Sequence, residues 1–303
     1  MKSISTIVAA VAGVFAPVAL ALEPLADVPL ASHDFGLAMI EVQFDNDVRM
    51  TCALDSGAER FGVLPLSVVR RAGVEADSRV IEFINGSKRT LKTAIASMRL
   101  SDATSQRGRF NVMDLRLLMP DGQTRESCLV GIDYLRAYTV DIDGIAGRFR
   151  LWPKGTRIDT ILGPGRNVVM ASWNDLPRVG VVVDGQNVNA AIDTGSYNSH
   201  INKPLGKRLN VREGDPRLGP LRARDGTKYD GFTLPMLTVA SFMLGDADLA
   251  GESFSYGDKL RVSNTWSSKP AVWLGWRSLR AHRTLFDFAN DEMRVVPAPA
   301  RSR

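Results

Sequence analysis

Apolar residues along this chain fall in short alternating or continuous runs, each bounded by turn-forming residues. Leu37-Ala38-Met39-Ile40-Glu41-Val42 and Val179-Gly180-Val181-Val182-Val183 are representative. Runs of that length with a period of two predict β-strands. Asn85-Gly86 and Asp225-Gly226 mark tight hairpins, because these dipeptides accept the positive φ angles of two-residue turns. Only brief helices are expected: over residues 65–72, where Pro65 sits near the first turn, over residues 204–209, and just after Gly131 and Gly275. The pattern predicts an all-β chain.

One apolar run is different in kind. After the basic Lys2, residues 7–20 are apolar but interrupted by Gly13 and Pro17, and they end at Ala19-Leu20-Ala21. That is the layout of a secretory signal peptide, residues 1–21, cleaved after a small-x-small site, with an uncleaved anchor as the alternative. The folded part is then exported, to the periplasm or beyond. No later segment approaches the ~18 apolar residues that a spanning helix needs.

The chain also contains itself twice. The segment 131–153, GIDYLRAYTVDIDGIAGRFRLWP, aligns without a gap to 275–297, GWRSLRAHRTLFDFANDEMRVVP. Identities fall at Gly131/Gly275, Leu135/Leu279, Arg136/Arg280, Ala137/Ala281, Asp143/Asp287, Arg150/Arg294 and Pro153/Pro297. Upstream, each copy has a β-rich run with a turn signal, Asn46-Asp47 or Asp184-Gly185, which leads to a short apolar strand ending in Asp-Ser/Thr-Gly. The expected organisation is an N-terminal segment (22–34), a first unit (35–153), a Gly/Pro-containing linker (154–166), a second unit (167–298) and a tail (299–303).

The repeated motifs carry the candidate chemistry: Ala53-Leu54-Asp55-Ser56-Gly57-Ala58 and Ala191-Ile192-Asp193-Thr194-Gly195-Ser196. Each is answered later in its unit by an apolar-apolar-Gly triplet, Leu129-Val130-Gly131 and Trp273-Leu274-Gly275. A single Asp-Ser/Thr-Gly is common in turns and says little. Two at equivalent places in a duplicated unit are specific. Two carboxyls that share one proton can act together, one deprotonating water while the other protonates a carbonyl oxygen. Gly57 and Gly195 let two such loops approach closely. At the fourth position, a Ser196 hydroxyl could donate to its own carboxylate where Ala58 cannot, which would leave Asp193 charged and the proton on Asp55.

With both motifs and both triplets in view, the chain resembles the aspartic proteases, in particular the bacterial retropepsin-like branch related to retroviral proteases. The likeness runs from about Leu37 to Pro297. It implies a two-lobed, pseudo-twofold fold of two retropepsin-like β-barrel units, with Asp55 and Asp193 catalytic and the hydroxyls of Ser56 and Thr194 interlocking the two loops. Implied also are the two triplets as supporting strands beside those loops, and flaps near Asn85-Gly86 and Asp225-Gly226, one of which could be a plain surface hairpin. Substrates would be extended polypeptide, and the chain would act as a monomer with an internal pseudo-dimer. In that topology the strands before Asp55 and Gly131 run close together, which implies a Cys52–Cys128 disulfide in an oxidising compartment, with two buried thiols as the alternative. A catalytically dead peptide-binding relative is the competing reading.

Composition narrows the remainder. Hydrophobic residues make up 45% of 303, enough for sizeable cores. The formal net charge of +5 is scattered over many Lys and Arg, without the aromatic-interleaved basic stripe of a nucleic-acid binder. His33, His200 and His282 form no metal-ligand spacing, so no metal or other cofactor is expected.

Overall fold

The computed structural model describes residues 22–31, 36–82, 88–115, 127–173, 176–219, 234–249, 253–257 and 269–297. The proposed signal peptide, the tail and both hairpin dipeptides, Asn85-Gly86 and Asp225-Gly226, lie outside these residues. The chain is predominantly β. Among the described residues no helix is long and apolar enough to cross a membrane.

Local sequence accounts for the individual elements. In the strand Gln186–Asp193, Val188, Ala190 and Ile192 point into the core while Asn187 and Asn189 face solvent, which is the expected alternation of a half-buried strand. Its hairpin partner is Leu176–Val183, and the connecting Asp184 and Gly185 both take positive φ, at 44° and 77°. The corresponding hairpin of the first half, Met39–Phe44 with Arg49–Leu54, turns through Asn46 and Asp47 at 54° and 53°. Short helices occupy Leu66–Arg71, Ile132–Leu135, Lys203–Arg208 and Trp276–Leu279, the four places that Pro and Gly mark in the sequence, and a fifth covers Ile158–Leu162.

In the first half, six strands close on themselves. The order is Met39–Phe44, Arg49–Leu54, Cys128–Val130, Gly62–Leu64, Gln106–Val112 and Lys88–Arg99, and the last pairs back to the first through Phe44↔Met98. The second half repeats the central arrangement, with Gln186–Asp193 parallel to Ala271–Gly275 just as Arg49–Leu54 is parallel to Cys128–Val130. Its sheet does not close among the described residues.

A shared antiparallel sheet joins the halves. The repeated hairpins Tyr138–Asp143/Arg148–Pro153 and His282–Asp287/Glu292–Pro297 abut through Tyr138–Asp143 and His282–Asp287. The register there includes Leu285↔Asp141, Arg283↔Asp143 and Asp287↔Thr139. Under the gapless repeat alignment Asp141 corresponds to Leu285, and exchanging the copies turns the Arg283↔Asp143 pair into Asp287↔Thr139. The junction therefore maps onto itself. An ion pair crosses it, with Arg283 reaching the fully buried Asp141 at 2.7 Å. Ala26–Pro29 adds a strand at the outer edge, pinned by Asp27 to Arg148 and Arg150.

Candidate active site

Both motif carboxyls stand at the C-terminal ends of strands held by parallel partners. In the first half Ala53 pairs with Leu129 and Leu54 with Val130, and the Asp55 N–H donates to the Val130 carbonyl at 2.9 Å. In the second, Ala191 pairs with Trp273, Ile192 with Leu274, and Asp193 with Gly275. Val130 and Leu274 are fully buried and anchor these strands in the core. Gly131 and Gly275 then thread against the loops: a Cβ on Gly131 would lie 2.6 Å from the Arg60 carbonyl oxygen, and one on Gly275 would lie 2.6 Å from that of Asn198. No other residue fits either place without moving backbone.

Four hydrogen bonds lock the two loops to each other, in reciprocal pairs. The Ser56 N–H donates to Thr194 Oγ1 at 3.0 Å, and the Thr194 N–H donates to Ser56 Oγ at 3.1 Å. Each hydroxyl passes its own proton to a backbone carbonyl of the opposite strand, Ser56 to Ile192 at 2.9 Å and Thr194 to Leu54 at 2.8 Å. Ser56 and Thr194 are buried, so water cannot substitute for these partners.

This lock draws the carboxyls across the junction. A Cβ on Gly57 would sit 2.7 Å from Asp193 Cγ, and a Cβ on Gly195 would collide with the Asp55 carboxyl. Each acid thus packs over the other loop's glycine, and the two carboxyls hydrogen-bond to one another. Their environments differ. Burial pushes Asp55 well above the usual carboxylate range, and the adjacent Asp193 charge and the bond to Asp193 push it further, against backbone N–H donors from Gly57 and Ala58. Burial raises Asp193 as well, but bonds from Asp55, the Trp273 indole, and the Gly195 and Ser196 N–H groups oppose the rise. More donors therefore oppose the rise at Asp193 than at Asp55.

The Ser196 hydroxyl does not do what the sequence suggested. It donates to the Asn198 carbonyl at 3.0 Å, and Ser196 reaches Asp193 Oδ1 only through its backbone N–H, at 3.2 Å. A hydroxyl with a carbonyl two residues along finds a local partner before a distant one. The donor that the sequence reading missed is Trp273, whose indole Nε1–H meets Asp193 Oδ2 at 2.8 Å. It stands in the apolar triplet as the counterpart of Leu129. The signal available in advance was a side chain with one polar atom at a position otherwise apolar in both triplets.

Cys52 and Cys128 are joined by a disulfide between directly paired, fully buried positions, with Cα atoms 4.4 Å apart. The bond ties the strand before Asp55 to its supporting strand, and Ala190 paired with Val272 fills the equivalent place in the second half. His200 lies opposite Trp273 on the neighbouring strand, with Nδ1 on Ser255 Oγ at 3.0 Å and Nε2 on the Gly257 carbonyl at 2.9 Å. Asn85, Gly86, Asp225 and Gly226 fall outside the described residues, although the strands Ala76–Glu82 and Lys88–Arg99 that flank the first pair are joined out to Glu82↔Lys88. Compared with known proteins, the chain matches no family model and no curated sequence.

Proposed function

We propose that this chain is an aspartic endopeptidase: a two-lobed, pseudo-twofold protein in which each half contributes one carboxyl to a single dyad that activates water. The observation that carries the reading is the hydrogen-bonded Asp55–Asp193 pair, held by the reciprocal Ser56/Thr194 lock. Two acids this close cannot both ionise readily, so one proton is retained between them across a wide pH range. The charged member takes a proton from water as the water attacks the scissile carbonyl, and the protonated member delivers its proton to the carbonyl oxygen. The tetrahedral intermediate then collapses as the leaving nitrogen gains a proton, and the peptide bond breaks.

The two lobes are residues 35–153 and 167–298, each a retropepsin-like unit, joined by residues 154–166. The substrate is polypeptide in extended form, bound by main-chain hydrogen bonds with side-chain pockets setting preference. Residues 1–21 direct export, so the enzyme works in the periplasm or outside the cell, where the Cys52–Cys128 bond is stable. It acts as a monomer, and neither metal nor cofactor takes part.

The experiment uses residues 22–303 and an unfolded protein or a peptide library across acidic to neutral pH. Cleavage that is blocked by pepstatin supports the enzyme. Peptide binding without turnover supports instead a non-catalytic peptide-binding protein on the same scaffold.

A further inference from the structure

Of the register positions beside the two motif strands, one brings a polar side-chain atom to a carboxyl in one half and not in the other. Beside the strand that carries Asp55, the residue opposite Ala53 is Leu129; beside the strand that carries Asp193, the residue opposite Ala191 is Trp273. Paired residues on adjacent strands project to the same face, so Trp273 shares the face of Ala191 and Asp193. From there its indole reaches Asp193 Oδ2. Leu129 offers Asp55 nothing polar.

The donor sets follow from this difference. Asp193 accepts from Gly195 N–H at 3.0 Å and Ser196 N–H at 3.2 Å on Oδ1, and from Trp273 on Oδ2, so both of its oxygens are engaged by protein donors. Asp55 accepts from the Gly57 N–H at 2.8 Å on Oδ1 and from the Ala58 N–H, the counterparts of Gly195 and Ser196, so the indole is the donor at Asp193 that has no counterpart at Asp55. An indole N–H donates and never accepts, so it favours the ionised form of the group it touches.

We infer that Trp273 is a positioning residue that sets the division of labour in the pair, holding Asp193 as the charged, water-activating carboxylate and leaving the shared proton on Asp55. The catalytic consequence rests on the proteolytic reading; the placement of the proton does not. Among the described residues, Asp55 from the opposite loop acts on Asp193 directly, and the titratable or charged residues at neighbouring register positions are Arg178, paired with Ala191, and His200, paired with Trp273. All three are retained in Trp273→Phe, so comparison with the parent isolates the indole N–H.

Two readouts test this. The first is the pH profile of kcat/KM for the parent, Trp273→Phe and Trp273→Leu, the last reproducing the first half's residue. Its acidic limb reports loss of the first proton from the free dyad. Without the indole donor the limb moves up by about one pH unit, the usual worth of a hydrogen bond to a charged group. A uniform fall in kcat/KM with the limb unmoved would mean that Trp273 only fills space, and the inference would be wrong.

The second readout needs no activity and no Trp273 variant. Among the five indole ¹H–¹⁵N resonances of the full chain, one should titrate with the dyad in the parent and cease to titrate in Asp193→Ala. If none titrates, or if the titration survives Asp193→Ala, the proton assignment falls even in an active protease. If the indole titrates as described in a chain that cleaves nothing, the assignment stands and the proteolytic reading fails.

Discussion

Thr194→Val probes the lock between the two loops with little change of volume. The Thr194 hydroxyl accepts from the Ser56 N–H and donates to the Leu54 carbonyl, at 3.0 and 2.8 Å, and Thr194 is fully buried. Valine removes both bonds and leaves a buried donor and a buried acceptor without those partners. Each such orphan costs about 1–3 kcal/mol, so the variant should lose about 2–5 kcal/mol. Thr194→Ser is the decisive control. It keeps the hydroxyl and removes one methyl, at a cost of about 1 kcal/mol for the lost burial and small void. The assay is urea denaturation of the oxidised chain followed by tryptophan fluorescence, with the far-ultraviolet signal as a second probe of a single transition. If packing were what mattered at this position, serine would be worse than valine. The hydrogen-bond account requires the reverse order, and a valine variant within about 0.5 kcal/mol of the parent would refute it.

Three further outcomes are expected. Asp55 has a folded-state pKa raised by burial and by the Asp193 charge, so the native state holds its proton more tightly than the unfolded chain does. That contribution is favourable below the unfolded carboxyl value of about 3.9 and is lost as pH rises through the folded one. Asp55→Asn should therefore be more stable than the parent at pH 7 in thermal melts, with the gap closing toward pH 4; a pH-independent gap would contradict this. Replacing Cys52 and Cys128 together by Ser opens a cross-link between residues 76 apart. The chain-entropy model puts the loss at about 4.5 kcal/mol, and a change below about 1 kcal/mol in the denaturation midpoint analysis would count against it. Asp141→Asn removes the fully buried carboxylate that Arg283 and Arg150 share at the junction of the halves; Arg283 keeps Asp143 at 3.9 Å and partial exposure, so the cost by the same assay should be about 1–2 kcal/mol.

What was legible in the sequence was local or duplicated. The Asn46-Asp47 and Asp184-Gly185 turns are encoded by residues that accept positive φ, and each fixes the register of the strand leading to a motif acid. The pairing of Asp55 with Asp193 could be anticipated only because the motif occurs twice; either copy alone reads as a turn. The sequence does not reveal the partner of the Ser196 hydroxyl, the Asn198 carbonyl, because that depends on how the loop curls after the motif. In the sequence Trp273 is one more apolar strand residue, because only the face it shares with Asp193 reveals what its single polar atom meets. The self-mapping junction between the repeated hairpins was encoded in the 131–153 and 275–297 alignment, yet the alignment by itself does not say that the copies pair with each other rather than fold apart.

The most direct test of the central claim compares the parent with Asp55→Asn and Asp193→Asn as single variants, on one polypeptide substrate, alone and mixed. One dyad built from both halves of one chain predicts that each variant is inactive and that mixing restores nothing. Cleavage that persists in either variant would remove the dyad from the chemistry, and activity recovered on mixing would place the site between two chains instead of within one.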